Sequence, residues 1–310
     1  MGQHPLLAEV ERHGNRAVVI PASRLSDSRK EITQWLDCAD LPADAKREIL
    51  ANYNFELPRL NFEIKSIILV ACPFPAYANV EFVWNEKRIQ LQSIVSADLQ
   101  GGERYLRRFA RVHGFNLEAA DALPVKRLAV CSGLAVFGKN NITYVEDMGS
   151  FLYYLIFFSD LEPVHLAWHP VRQAEPCAHC PICCNSCETR AIRPDRFLLD
   201  TPRCLCFINE SPEPFPDWLP LSVHHLVYDC LKCQLPCPMN RKYVGNVDGP
   251  IKFDAEETSL VLAGGALSDL PPALYEKVNY LGFSQWWPAI PRNLKMMLEL
   301  QERSRELGNI

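Results

Sequence analysis

Cysteines are the residues of this chain whose number and spacing point most directly to chemistry. The chain of 310 residues has 13 cysteines, and ten of them lie between positions 177 and 237. One run reads C-x2-C-x2-C-x3-C and a later one reads C-x2-C-x3-C-P; together they contain Cys177, Cys180, Cys183, Cys187, Cys230, Cys233 and Cys237. Thiolates at this spacing hold a cubane of iron and sulfide, with the last cysteine of the run serving a second cubane.

Two [4Fe–4S] clusters need eight thiolates, and the two runs supply seven. The eighth must come from Cys204 or Cys206, which lie between the runs. The sequence therefore predicts two [4Fe–4S] clusters assembled from separate chain segments.

Two other interpretations of these cysteines agree less well with the sequence. A zinc ribbon would need only two C-x2-C pairs, which leaves Cys183, Cys187 and Cys237 without a role. A disulfide framework is typical of short secreted chains, whereas this chain is long and begins with no secretory signal pattern.

The elements that must position the cysteines follow from apolar patterning. Unbroken apolar runs predict buried strands at 17–20, 67–72 and 151–158, as in a sheet covered on both faces. Residues 81–95 alternate loosely and predict either a strand or an extended excursion. Helical spacing predicts helices at 4–14, 28–37, 102–113, 123–131, 256–263, 272–281 and from 291 onward.

Charge and hydropathy limit the functional classes. The net charge of −5 and the pI of about 5.9 give no basic footprint for nucleic acid, so no nucleic-acid partner is expected. The longest apolar run, 151–158, is too short to span a bilayer. Thiol-ligated clusters and the spare cysteines Cys38, Cys72 and Cys131 predict the reducing environment of the cytoplasm.

A basic helix is the other charged feature. The helix predicted at 102–113 carries Arg104, Arg107, Arg108 and Arg111. These arginines would form either a basic face toward an anionic cofactor or partner, or an ordinary solvated helix face.

The order of several motifs resembles the epoxyqueuosine reductase family and the related corrinoid reductive dehalogenases. The matching pieces are D-A-L-P-V from Asp121, G-L-A-V-F-G-K-N up to Asn140, the cysteine run, R-C at Cys204, and Y-D-C-L-K-C-Q-L-P-C-P-M-N from Tyr228. They cover roughly residues 60–245.

The resemblance implies a ligand set for each cluster. The first cluster would take Cys177, Cys180, Cys183 and Cys237. The second would take Cys187, Cys204, Cys230 and Cys233. Cys184 and Cys206 fall outside the pattern and are expected to pack beside the clusters as small buried thiols.

The resemblance also implies roles for three residues outside the cysteine runs. Asp121 matches an aspartate that lies beside the substrate as a proton donor, although a carboxylate at this place is equally explained by helix capping. Lys139 and Asn140 match a G-K-N loop near the cofactor, although a glycine turn needs no such role.

Three features depart from the family pattern. Glu188 follows Cys187 where the family has proline. Cobalamin is the further cofactor that the resemblance implies, but the segment between Pro75 and Arg104 contains no R-D-Y-H-like stretch. The long helical-repeat tail of the tRNA-modifying relatives is also missing, which together with the charge predicts that tRNA is not modified.

The predicted architecture has three parts. Residues 1–165 form an α/β (α+β) domain resembling a cobalamin-binding reductase domain. Residues 166–245 form a ferredoxin-like module with two [4Fe–4S] clusters, and residues 246–310 form a short helical extension. The final helix, with Leu294, Met297 and Leu298, would pack on its own core or form an oligomer contact.

The predicted function is an iron–sulfur oxidoreductase. Electrons would pass through the two clusters to a small-molecule substrate or a corrinoid beside Asp121 in the α/β domain. The alternative is a non-catalytic electron carrier or reductive activator that docks a redox partner, such as a corrinoid protein. A third use, clusters that only staple the fold, ranks last.

Overall fold

The computed structural model describes residues 4–38, 43–96, 99–195 and 197–308. The chain divides into two compact units: the first comprises Met1–Pro73, Asp98–Gly138 and Ile142–Ala178, and the second comprises Phe74–Ala97, Lys139–Asn141 and His179–Ile310, each as far as its residues are described. These units are defined by contacts within the chain, whereas the three domains expected from the sequence are defined by function. The three-domain division stays a prediction.

Helices and strands alternate along the chain. The described α-helices are α1 (Pro5–Arg12), α2 (Arg24–Cys38), α3 (Ala43–Ala51), α4 (Leu99–His113), α5 (Val125–Cys131), α6 (Ile182–Ser186), α7 (Leu205–Glu210), α8 (Ala255–Ala263), α9 (Pro272–Tyr280) and α10 (Ile290–Gly308). The strands are β1 (Arg16–Pro21), β2 (Ser66–Pro73), β3 (Tyr77–Trp84), β4 (Lys87–Ser93), β5 (Leu117–Ala119), β6 (Ala135–Phe137), β7 (Thr143–Val145), β8 (Leu152–Ser159) and β9 (Val247–Phe253).

The first unit is built on an antiparallel sheet in the order β1-β2-β8-β5. Its central strand β2 is buried from Ser66 to Cys72, because apolar residues point to both faces. On one face Ile68 and Phe157 pack with Leu6 of α1 and Leu106 of α4. The strands predicted at 17–20, 67–72 and 151–158 are therefore confirmed as a sheet covered on both faces.

The second unit contains a sheet in the order β4-β3-β9. β3 and β4 form a hairpin whose turn residues Asn85 and Glu86 have φ of 49° and 62°, so the loosely alternating segment 81–95 is a hairpin. β9 pairs in parallel with β3, and Phe82 stacks on Phe253 with ring centroids 4.6 Å apart. This strand was not expected from the sequence.

The C-terminal part of the second unit is helical, as predicted. A capping box begins α8: the Asp254 carboxylate accepts from the Glu257 N–H at 2.9 Å, and the Glu257 side chain accepts from the Asp254 N–H at 3.0 Å. On α10, Leu294, Met297 and Leu298 are buried within the chain. These three side chains thus belong to the chain's own core, which leaves them no free surface for an oligomer contact.

Two predictions for the chain before the cysteines need correction. The helix expected at 123–131 begins at Val125, and its N-cap is Pro124, which makes no side-chain capping bond. The segment considered as a glycine turn at Lys139 and Asn140 connects the strands β6 and β7, which pair with each other. Among the described residues, no helix has the length and apolar character needed to cross a membrane.

Candidate metal centre

Short turns shape the first cysteine run. Cys177 ends a 3₁₀ turn and donates its N–H to the Ala174 carbonyl at 2.9 Å. Pro181 precedes α6, the one-turn helix that carries Cys183. Cys187 follows α6 and donates to the Cys184 carbonyl at 3.3 Å. Prolines and short helices thus fix the backbone from which these thiols project.

The other cysteines are also held at helix and turn ends. Cys204 immediately precedes α7, and its carbonyl accepts from the Ile208 N–H at 3.0 Å. A turn follows Cys230, in which the Gln234 N–H donates to the Leu231 carbonyl at 2.9 Å. Cys237 then caps the 3₁₀ turn Pro238–Asn240.

The four cysteines assigned to the second cluster influence one another electrostatically. Burial, and then the negative charges of Asp229, Cys204 and Cys187, raise the pKa of the Cys230 thiol to about 12. Burial and the charges of Cys230, Cys204 and Cys187 raise the pKa of Cys233 well above its ordinary value. Burial also raises the pKa of Cys204, with a contribution from Cys187. Three chain segments therefore bring these thiols together.

Such a group of half-buried thiols suits a metal centre. A thiolate that is desolvated beside other thiolates is unfavourable unless a cation compensates the charge, and metal binding deprotonates coordinating thiols. The donor set therefore fits iron–sulfur ligation. Thr189 adds a polar contact, its hydroxyl lying 3.6 Å from the Cys187 sulfur.

The four cysteines assigned to the first cluster differ in exposure. Cys177 and Cys183 are buried, whereas Cys180 and Cys237 are half-buried. Their assignment to one cluster stays a prediction. Glu188, which replaces the family's proline after Cys187, forms an ion pair with Lys232 at 2.7 Å, so the departure introduces a charged contact between two cysteine segments.

Lys139 and Asn140 lie in the second compact unit, which also contains Cys180 and Cys233. The Lys139 ammonium donates to the Cys180 carbonyl at 3.2 Å, and the buried Asn140 amide donates to the Cys233 carbonyl at 3.4 Å. These contacts support the sequence-based placement of the G-K-N loop near a cofactor. The cofactor in question would be a cluster, since both residues touch cysteine backbone.

A charged cleft of about 1020 Å³ opens beside this loop. Its lining includes Cys184, Cys187 and four cations, which are Lys139, Arg190, Arg193 and Arg203. Arg193 pairs with Asp195 at 2.6 Å, and Arg203 donates to the Thr189 carbonyl at 2.9 Å. The carboxylates of Glu188, Asp195 and Asp200 also line the cleft, so cationic and anionic groups are mixed beside a predicted cluster ligand.

Asp121 lies in the first unit and is exposed to solvent. It is not the N-cap of α5, so the capping explanation for this residue is wrong. The next residue, Ala122, has φ of 55°, and its carbonyl accepts from the Asn54 N–H at 2.7 Å. The carboxylate is thus presented on a short, anchored loop, and its role as a proton donor stays a prediction.

The carboxylates that surround Cys206 were not predicted from the sequence. The Cys206 sulfur lies 3.3 Å from the Glu210 carboxylate, and Asp229 lies close to both. The spacing of Cys206 and Glu210 on one face of a helix, four residues apart, was the available signal. The position of Asp229, which is on a distant segment, could not be read from spacing.

The chain is similar to a class of reductases in both sequence and fold. No family model matches the chain. It is 31% identical over 240 residues to the epoxyqueuosine reductase of Francisella cf. novicida, covering 76% of this chain and 59% of the relative. It is 26% identical over 209 residues to that of Cyclobacterium marinum, covering 66% and 62%. The chain thus spans about three fifths of these relatives.

Solved epoxyqueuosine reductases have the same mixed α/β fold. The Streptococcus thermophilus enzyme matches 94% of this chain and 80% of its own, with a TM-score of 0.59 at 17% identity. The Bacillus subtilis enzyme has a TM-score of 0.57 at 18% identity over the same shares, in a state whose catalytic aspartate loop is swung out of the active site. The predicted resemblance to the epoxyqueuosine reductase family is confirmed.

One comparison overturns an expectation. An epoxyqueuosine reductase bound to a tRNA stem loop that carries epoxyqueuosine aligns with 94% of this chain, at a TM-score of 0.59 and 19% identity. This finding contradicts the expectation that nucleic acid is not a partner, and it removes the ground for expecting that tRNA is not modified. The error has a physical cause: the net charge of −5 averages over the whole chain and does not describe local groups such as the exposed Arg104 and Arg108 of α4.

Proposed function

We propose that this protein is an iron–sulfur-dependent reductase that removes the epoxide oxygen from a modified nucleoside in a tRNA stem loop. Its first compact unit would hold the nucleoside beside Asp121. Its cysteine segments would hold two [4Fe–4S] clusters, with ligand sets Cys177, Cys180, Cys183 and Cys237 for one and Cys187, Cys204, Cys230 and Cys233 for the other. The similarity to epoxyqueuosine reductases supports this class of reaction.

The convergence of Cys187, Cys204, Cys230 and Cys233 is the observation that carries the proposal. These thiols come from three separate segments, yet each of Cys204, Cys230 and Cys233 feels the charge of others in the set. A half-buried group of this kind is well suited to a cluster that is held by four thiolates. Without a metal, ionisation of several of these thiols would be unfavourable, because their negative charges would repel one another.

Conversion of an epoxide to an alkene consumes two electrons and two protons and releases the oxygen as water. The clusters, when bound, supply electrons one at a time. Asp121 would deliver a proton to the departing oxygen, because an exposed carboxylate on an anchored loop can both reach a substrate and be reprotonated from solvent. Lys139 and Asn140 would fix the cysteine backbone through their hydrogen bonds to Cys180 and Cys233.

Cobalamin finds less support among the residues present. The segment between Pro75 and Arg104, where the family's corrinoid motif is expected, forms the β3–β4 hairpin and the start of α4 and contains no histidine. The residues there do not fit the expected corrinoid motif. Hydroxocobalamin added to the protein is therefore expected to leave its visible spectrum unchanged.

The decisive experiment gives anaerobically reconstituted protein a chemical reductant and a tRNA stem loop carrying epoxyqueuosine. Mass spectrometry of the nucleosides should show loss of one oxygen atom. A Cys187→Ser protein should give no product, because the second cluster would be lost. If the wild-type protein holds its clusters and accepts electrons but leaves the epoxide intact, the proposed activity is wrong and the electron-carrier alternative is favoured.

A further inference from the structure

A second potential metal site lies outside the predicted cluster ligands. The Cys206 sulfur and one carboxylate oxygen each from Glu210 and Asp229 all lie within 4.8 Å of one another. Cys206 and Glu210 are four residues apart on α7, which places them on one helix face, and Asp229 comes from the segment before Cys230. Among the described residues, this is the set of three side chains whose ligand atoms lie close enough together to hold one ion.

The three ionised groups would repel one another in the absence of a cation. All three side chains are partly buried, and all acquire negative charge when they ionise. A bound cation would compensate this negative charge directly.

The site is also rigidly supported. The Asp229 carboxylate accepts from the Cys230 N–H at 2.5 Å, and its backbone carbonyl accepts from the buried Asn209 amide at 2.9 Å. Asn209 in turn is fixed through its own carbonyl, which accepts from the buried Asn293 amide at 2.7 Å. These bonds tie the end of α7 to the segment that carries Asp229, so the three ligand groups are held together before any ion arrives.

We propose that Cys206, Glu210 and Asp229 bind one divalent transition-metal ion, of which zinc is the probe of choice. One thiolate and two carboxylates are ligands that zinc accepts, and three protein ligands leave a fourth tetrahedral position for water. The ion would connect α7 to the segment before Cys230. It would be separate from the clusters, and the inference stands whether or not the proposed reductase activity is correct.

The test measures zinc and iron in the same full-length protein. Protein with reconstituted clusters is given one equivalent of Zn²⁺, desalted under argon and analysed for both metals. We expect about one zinc per chain in the wild type with iron unchanged. Cys206→Ser and Glu210→Gln should each lose at least tenfold in zinc affinity while keeping their iron, and Cys184→Ser should behave as the wild type. X-ray absorption at the zinc edge should show a single sulfur ligand near 2.3 Å.

Two results would overturn the proposal. One is a wild-type protein with full iron that retains no zinc. The other is a Glu210→Gln protein that binds zinc as tightly as the wild type, a comparison that remains valid even if Cys206→Ser fails to fold. Loss of reductase activity with zinc binding intact would count against the proposed function alone, because the metal readout does not depend on turnover.

Discussion

The side-chain amide of Asn140 donates a hydrogen bond to the backbone carbonyl of Cys233, 3.4 Å away, and Asn140 is almost completely buried. Burial raises the pKa of the Cys233 thiol, and a separate contact of the Asn140 side chain with the thiol itself acts in the opposite direction. A residue between two short strands thus influences the electrostatics of a predicted cluster ligand that is far away in sequence.

Replacing Asn140 with leucine should lower the reduction potential of the second cluster. Hydrogen bonds near the sulfurs favour the reduced, more negative cluster, so their removal disfavours reduction. The loss of about 1 kcal/mol corresponds to roughly 40 mV for one electron. A redox titration followed by electron paramagnetic resonance measures the shift. The exposed Asn185 provides the matched control, and equal potentials for Asn140→Leu and Asn185→Leu would remove the role assigned to Asn140.

Individual cysteines should differ in their effect on iron content. Cys187→Ser is expected to reduce iron from about eight to about four atoms per chain, because it removes one ligand of the second cluster. Cys184→Ser, three residues earlier, should leave iron unchanged. Iron and sulfide analysis of the two purified proteins measures the difference. The assigned ligand set fails if Cys184→Ser loses as much iron as Cys187→Ser.

Asp121→Asn should abolish turnover without changing the clusters. The amide has nearly the shape of the carboxyl group but cannot deliver its proton, so a loss of about 10²- to 10⁴-fold is expected. Stability should change little, because Asp121 is exposed and does not cap α5. Single-turnover rates and iron content are the two readouts. Glu118→Gln, another exposed carboxylate nearby in sequence, should retain activity; a wild-type rate for Asp121→Asn would contradict the proton-donor role.

His165 should make stability depend on pH. Burial lowers the pKa of His165 below 6.5, and its Nδ1 accepts a hydrogen bond from the Val19 N–H at 3.0 Å. As the pH falls below about 6.5, the unfolded chain therefore binds a proton at His165 that the folded chain does not bind. The contribution of neutral His165 to the free energy of unfolding is complete above that pH and decreases as the pH falls toward the folded pKa.

Denaturant unfolding between pH 7.5 and about 5.5 measures this effect, with the range set by the ordinary histidine pKa. His165→Gln keeps an acceptor for Val19 but cannot titrate, so its free energy of unfolding should fall less steeply with decreasing pH than that of the wild type. His113→Gln changes an exposed histidine on α4 and should retain the wild-type slope. Parallel slopes for the wild type and His165→Gln would rule out this contribution.

The sheet could be predicted because it depends on a local pattern: unbroken apolar runs specified β1, β2 and β8. Thiol spacing is a local pattern too, and the iron–sulfur ligation that it predicts stays a prediction. β9 could not be predicted, since Gly249 and Pro250 interrupt its pattern and its partner β3 lies far away in the chain. The contact of Asp229 with Cys206 and Glu210 likewise arises only when distant segments meet. The nucleic-acid expectation failed because total charge carries no information about where the charges lie.

The parallel pairing of β3 with β9 has a consequence for how the protein is made. All eight predicted ligand cysteines are translated after β3 and before β9. While the ribosome is still synthesising this stretch, the β3 edge of the β3–β4 hairpin lacks its partner strand β9. Exposed strand edges favour aggregation. Iron delivered before β9 emerges would shorten the effective loop that β9 must close. We therefore expect iron starvation in the expressing cell to increase aggregation of the newly made chain. This effect is expected although none of the predicted cluster ligands belongs to β3.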